Sequence, residues 1–324
     1  MAHNIEDNKM FSVGKAPWHN IGVVLDAAPT VAEAAKLANG HNYIKCSLAA
    51  YVEDDGGMPT DTAAYLALDD QCAIVRDDGK PMGTVGAGYE VVQPIDSWDF
   101  FSPYVATGKV TLETGGTLAD GRKMWGLAKL SEAEVIKGDS VSGYFLIYTS
   151  FDGSLAHGIK RVATRVVCQN TLSMALGEKA SLDYRFKHTA KIHDRIDAAQ
   201  ADISRMLGMF EASVEGYKVL ASKRATGAEL VSYVRRVFEI EGKKPDEVSA
   251  KMLTKVNRVI EMIDDQRGLD LVPAARGTMW QGYNAVSEYL THEIGRSDDS
   301  RLQSQWFGES SRVNARALEL ALSA

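Results

Sequence analysis

The hydrophobic pattern of this chain changes its period near His188. Before that residue, short segments that alternate between apolar and polar residues are separated by turns rich in glycine and aspartate. A period of two is typical of β-strands, and Asp-Gly turns are typical of hairpins. After it, apolar residues recur every three or four positions, the spacing of amphipathic helices. We therefore predict an α+β fold, with an antiparallel sheet and helices in residues 1–188 and an all-helical domain in residues 189–324.

Three β-hairpins are predicted in the first half, each from a turn with an Asp-Gly pair between two apolar segments. The turns lie at residues 77–79, 120–121 and 152–153. We also expect a strand over Tyr43–Val52 behind a short helix that Thr30 caps. Further predictions are a strand over Tyr89–Val92, a helix with an aromatic face over Ile95–Val105, and a strand in the alternating segment Tyr184–Lys187.

The second half carries a long apolar seam. From Ile192 to Leu220, alternating steps of three and four predict a single helix of about thirty residues. The favoured explanation is that this helix packs on its helical neighbours, and the alternative is an interface between protomers. Further helices are predicted from capping boxes at Thr226 and Thr278, from Pro245, and over residues 312–322.

Composition and charge limit the class of protein. The chain has 324 residues, a net charge of −7 and a pI of about 5.6, whereas proteins that coat duplex DNA through charge alone are usually basic throughout. The first residues lack an apolar signal segment, and no stretch is long and apolar enough for a membrane helix. We therefore expect a cytoplasmic protein that does not bind membranes, in which any contact with nucleic acid is local.

The sequence lacks the common motifs for nucleotides and metals. The glycines between Gly83 and Gly88 do not form a GxGxxG motif, and there is no GxxxxGK[ST] motif. No histidine pair has HExxH spacing, and the three cysteines form no CxxC. His188 and His193 are five residues apart, so we expect solvated side chains and not a shared metal. We predict no cofactor and no metal.

Cys168 invites a catalytic interpretation. It lies between a predicted strand and a predicted helix, where a helix dipole and neighbouring arginines would lower a thiol pKa, and His157 is a candidate base. The alternative is a packing position, because free cysteines are usually buried and Val166 and Val167 flank this one. We favour packing, so no catalytic residue is predicted.

A basic segment interrupts this acidic chain. From His157 to Arg195 there are eight Lys or Arg residues against three Asp or Glu, a net charge of +5. A local reversal of charge indicates a surface that meets an anion, although a solvated face is the ordinary explanation for charged residues. Aromatic residues alternate with cations in Tyr184–His188, a mixture that binds a phosphate backbone and stacks on bases. The candidate nucleic-acid contacts are Lys160, Arg161, Arg165, Arg185, Lys187 and Lys191.

Five ordered motifs resemble a known family. They are Met1–His3, Ala16–Gly22, Tyr89–Pro94, Arg165–Thr171 and Gly277–Tyr289. Together they are similar to the phage- and plasmid-like proteins of the domain-of-unknown-function 932 family, over almost the whole chain. The resemblance implies a role in the DNA metabolism of mobile elements, or in dealing with the host, inside the cytoplasm of the host cell.

A more remote similarity, to single-strand annealing proteins of the RecT, Red-beta and ERF kind, rests on topology. Those proteins hold single-stranded DNA along a basic groove, often as rings or filaments. Here the hairpins over Val110–Val162 and a helix over Thr164–Leu176 would correspond. The first hypothesis is therefore a non-enzymatic homo-oligomer that binds single-stranded nucleic acid for annealing or recombination. The alternatives are a structural or host-interaction protein that acts through its helical half, and an enzyme that uses Cys168.

Overall fold

The structure is a computed structural model that describes residues 9–14, 22–51, 65–165, 184–265, 272–294, 304 and 308–324. For residues 161–165, 203–207, 209, 264–265 and 292 the description covers the backbone only. The fold is α+β as predicted: the sheets lie in the N-terminal half, and helices dominate the C-terminal half. Among the described residues, no helix has both the length and the apolar character needed to cross a bilayer.

The described strands form two sheets. They are β1 Met10–Val13, β2 Val23–Leu25, β3 Tyr43–Tyr51, β4 Tyr65–Arg76, β5 Pro81–Gly86, β6 Thr111–Leu118, β7 Lys123–Ile136, β8 Asp139–Ser150, β9 His157–Arg165 and β10 Tyr184–Phe186. The large sheet has seven strands in the order β10-β9-β8-β7-β6-β1-β2, antiparallel except for the parallel pair β1 and β2. The small sheet is the antiparallel set β3-β4-β5.

The three predicted hairpins are confirmed as β4–β5, β6–β7 and β8–β9. A fourth hairpin, β7–β8, was not predicted; it turns at Gly138, whose φ of +83° suits glycine. The strand predicted over Tyr89–Val92 is wrong, because the structure has no ladder there. The helix predicted to begin at Thr164 is also wrong at its start, since β9 continues to Arg165. Its remaining residues, which include Cys168, lie outside the described part.

The described helices are α1 Val31–Ala38, α2 Pro94–Asp99, α3 Ser102–Ala106, α4 Ile192–Ala201, α5 Ile203–Ser222, α6 Gly227–Val237, α7 Ala250–Asp265, α8 Met279–His292 and α9 Glu309–Ser323. Thr30 and Thr226 form the capping boxes that begin α1 and α6. Thr278 caps α8, but Gln281 accepts from the N–H of Gly277 instead of closing the box on Thr278. The aromatic helix predicted over Ile95–Val105 is two short helices, α2 and α3.

The single long helix predicted over Ile192–Leu220 is wrong, because the chain breaks at Asp202 into α4 and α5. Asp202 has φ −93° and ψ 4°, and its carboxylate accepts the hydroxyl of Tyr184 at 2.5 Å. A tertiary contact therefore holds the residue at the break. The described seam residues are buried within the chain, which supports intramolecular packing; they include Ile192, Ile196, Ala199, Phe210, Tyr217 and Leu220.

The first of two hydrophobic cores lies between the large sheet and helices α1 to α4. Trp98 is fully buried in it, and its ring lies directly on the strand backbone at Gly115 and Gly126. The described contacts also place Ile192 and Ile196 of α4 in this core. The first helix after His188 thus packs with the sheet and not with the helical half.

The second core is formed by α5 to α9, and the β7–β8 hairpin reaches into it. Val135 and Val141, which flank the turn of the hairpin, are buried among the helices. The indole N–H of Trp280 donates to the buried carboxylate of Asp139 at 2.8 Å. The hairpin therefore joins the two halves of the protein.

Candidate nucleic-acid interface

β10 carries one of the predicted cations at the edge of the large sheet. Within the described residues it pairs with β9 alone, and Phe186 lies opposite His157 and Arg185 opposite Gly158. Arg185 is exposed, whereas Tyr184 and Phe186 are half-buried and pack against the first core. The alternation expected from the sequence is therefore present: the cation and the two aromatic rings occupy opposite faces of the strand.

The ring of His188 anchors the turn after β10. Its Nδ1 lies 2.8 Å from the carbonyl oxygen of Glu90, and its Nε2 lies 3.4 Å from Oγ1 of Thr149. The ring stacks on Tyr89 with centroids 4.4 Å apart, and the Tyr89 hydroxyl donates to the carbonyl oxygen of Ser150 at 2.7 Å. The solvated side chain expected at His188 is thus wrong. Burial lowers its pKa, so the ring is neutral at physiological pH.

The sequence contained a signal for this inward histidine. The alternation that points Tyr184 and Phe186 inward gives His188 the same direction. Composition obscured the signal, because the neighbouring residues are cations and suggested a solvated face.

Lys187 and Lys191 stand on either side of the anchored turn, and both are exposed. Neither they nor Arg185 form an ion pair with any residue that the structure describes. We call these three residues the basic strip. Exposed charges of both signs follow it along α4, at Asp194, Arg195 and Asp197. The cationic surface is therefore narrow and begins at the sheet edge.

The predicted contacts on β9 differ from the basic strip. Lys160 is 7% exposed, has a partner inside the protein, and lies opposite Leu146 in the interior of the large sheet. It therefore does not belong to the exposed cations. Arg161 and Arg165 lie on the same strand, and their side chains fall outside the described part, so phosphate contact by these arginines stays a prediction.

A fully buried histidine, His157, lies opposite Phe186 on the neighbouring strand β9. Neither ring nitrogen of His157 has a hydrogen-bond partner in the described structure. Burial above all, and then the nearby His188 and His193, lowers the pKa of His157 to about 3. The base considered for Cys168 is therefore buried and neutral, while Cys168 itself lies outside the described residues.

The described residues include no group of three or more His, Cys, Asp or Glu side chains arranged to hold a metal ion. Cys46 and Cys72 are free thiols on adjacent strands. They lie on opposite faces of the small sheet, because Cys46 is opposite Ala73 and Cys72 is opposite Ser47. What the described candidate site offers is a row of fixed positive charges, which can bind an anionic polymer.

A protein-family model matches most of this α+β chain. The model of a domain of unknown function, DUF932, matches residues 81–306, and the chain therefore belongs to that family. The match covers β5 to β10 and helices α2 to α8, and it leaves out β1 to β4. No curated protein and no solved structure matches the chain.

Proposed function

We propose that this protein binds single-stranded nucleic acid along the basic strip, with Arg161 and Arg165 of β9 extending the path. The observation that supports the proposal is the exposure of Arg185, Lys187 and Lys191, without described ion-pair partners, on a chain whose net charge is −7. Cations that are not neutralised by the protein are available for phosphates, and each contact releases counterions.

The charge of the chain favours a single strand over a duplex. Tyr184 and Phe186, whose ring centroids are 5.9 Å apart, lie on the face of β10 opposite to Arg185. Both rings are half-buried against the first core, so the proposed contact is made by the cations with phosphates and not by stacking of bases on these rings. The acidic remainder of the chain would repel the larger charge of a duplex.

The proposed biological role is strand annealing or recombination in a phage or plasmid, within the cytoplasm of the host cell. It is supported by the similarity of the sequence motifs to phage- and plasmid-like proteins. The likeness of antiparallel hairpins to those of annealing proteins is an analogy of topology. No nucleotide or metal cofactor is part of the proposal.

The test is a binding titration of three proteins with a labelled single-stranded oligonucleotide at low salt. The first is the wild type, the second replaces Arg185, Lys187 and Lys191 with alanine, and the third replaces Lys109, Lys243 and Lys251. The control lysines are exposed and lie elsewhere, so both variants lose the same charge. We expect the strip variant to bind about tenfold more weakly or worse, and the control to bind within about twofold of the wild type. Equal effects in both variants would show that only net charge matters.

A further inference from the structure

The small sheet has an outward face that is largely apolar and carries no charged side chain. The pairing of β3 with β4 puts Ile44 opposite Val75, and Leu48 opposite Leu68. Directly paired residues of antiparallel strands point to the same side of a sheet. On this side the three strands place Ile44, Cys46, Leu48, Ala50, Leu66, Leu68, Gln71, Ala73, Val75, Pro81 and Thr84. We call this set the outer face.

No residue of the outer face is buried. Ile44 is 54% exposed and Leu66 is 47% exposed, and the remaining members are exposed or half-buried. The opposite side of the same sheet contains Tyr43, Ile74 and Val85, which are buried in the first core. A monomer rarely leaves a contiguous apolar patch uncovered unless the patch binds something.

The charges on and around the outer face indicate which kind of partner fits it. The face has no acidic or basic side chain, and Asp69 and Asp70, which bulge from β4 beside it, are exposed. Lys45 points to the other side, where its ammonium donates to the carbonyl oxygens of Ala87 and Tyr89. An uncharged face beside exposed carboxylates does not suit nucleic acid or an anionic membrane, because both require cations.

The geometry points to a second copy of this chain as the occupant of the outer face. In a two-fold dimer the same face meets itself, and here the contact would bring no charged side chain out of water. Leu, Ile and Val side chains from the two copies would interdigitate as in a sandwich of two sheets.

The size of the face sets the strength of the dimer. Strand residues rise about 3.3 Å each and strands lie about 4.8 Å apart, so eight residues on three strands cover roughly 26 by 14 Å. Two copies together would bury roughly 700 Å², which is below the 1,200–2,000 Å² that is usual for stable complexes. We therefore expect a weak dimer whose population depends on protein concentration.

Analytical ultracentrifugation over a concentration series, at low and at high salt, tests this inference. Apolar contact between two acidic molecules strengthens when salt screens their repulsion, so the wild-type dimer should increase at high salt. Leu66→Glu and Ile44→Glu should each produce a monomer. Val219→Glu should dimerise as the wild type does, because Val219 is 49% exposed on α5, away from the face.

The fold of each variant is checked by circular dichroism, and Leu66→Ser and Ile44→Ser serve if a charged variant unfolds. A wild type that stays monomeric over the whole series would overturn the inference. So would a dimer that survives in the folded Leu66 and Ile44 variants, or one that weakens as salt rises, which would indicate ion pairs. Oligonucleotide binding by Leu66→Glu should match the wild type, so failure of the dimer and failure of the nucleic-acid proposal give separate results.

Discussion

The two sheets of this protein differ in how far the chain covers them. In the large sheet every residue of β8 from Val141 to Ser150 is buried, which requires cover on both faces. In the small sheet one face is buried only around Tyr43, Ile74 and Val85, while Tyr51 and Tyr65 on that face are exposed, and no residue of the outer face is buried. Both sheets are rich in apolar residues, so hydrophobicity alone does not distinguish a core from an association surface. The difference teaches that the exposure of each strand separates a sheet that forms a core from a sheet whose outer face is available for the proposed association.

The largest expected effect compares one glycine in each sheet. A Cβ at Gly126 would lie 2.1 Å from Cη2 of Trp98, whereas a Cβ at Gly86 would meet no atom within 4 Å. We expect Gly126→Ala to lower the free energy of unfolding by about 3 kcal/mol, because the buried indole cannot move away. Gly86→Ala should change it by less than about 0.5 kcal/mol. Urea denaturation measures both, and similar values for the two variants would break the comparison.

A second effect depends on pH and belongs to the large sheet. The pKa of His157 is about 3 in the folded protein, against about 6.5 for an unfolded chain. Between these values the unfolded state binds the extra proton, so stability falls as the pH falls from about 6.5 towards 3. Each pH unit in this window costs up to about 1.4 kcal/mol for one such histidine.

Replacement of His157 by leucine tests this contribution, because neither ring nitrogen has a described partner to lose. We expect His157→Leu to be more stable relative to the wild type at pH 5 than at pH 8. Burial also lowers the pKa of His188, so the variant should keep a smaller sensitivity to acid. An unchanged pH profile would mean that His157 is not held neutral by burial.

The smallest expected effect concerns binding and not stability, and it involves the two arginines of β9. Replacing Arg161 and Arg165 together with alanine should reduce the dependence of log affinity on log salt by about one to one and a half units. Sequence preference should stay the same, because phosphate contacts position a strand without reading its bases. Anisotropy titrations at several salt concentrations measure the slope, and a wild-type slope in the variant would remove both residues from the proposed path.

Local signals predicted much of the fold. Turns such as Asp152–Gly153 identified three hairpins, and Thr226 identified a helix start, because these features depend on neighbouring residues only. The break at Asp202 was missed because the apolar spacing continues across it. A hydroxyl from Tyr184, distant in sequence, holds that residue. Local periodicity contains no information about such a contact.

The surfaces were harder to predict than the strands. Residues 69–71 form a bulge in β4, so Leu68 and Ala73 share a face although they are five residues apart. A pattern of period two therefore did not reveal the outer face. Lys160 was predicted to lie on a basic surface because of its charge alone. Its strand, however, lies inside a sheet that is covered on both sides. Exposed cations such as Lys187 were predicted, while the buried ring of His188 that anchors their turn was not.

The most direct test of nucleic-acid binding is the salt dependence of wild-type affinity for a single-stranded oligonucleotide. If about four phosphates are neutralised, the slope of log affinity against log salt should be near −3, from about −0.7 per phosphate. Self-association through the outer face should change in the opposite direction in the same salt series. A slope near −3 would support the proposed basic path, whereas the absence of detectable binding even at low salt would contradict it.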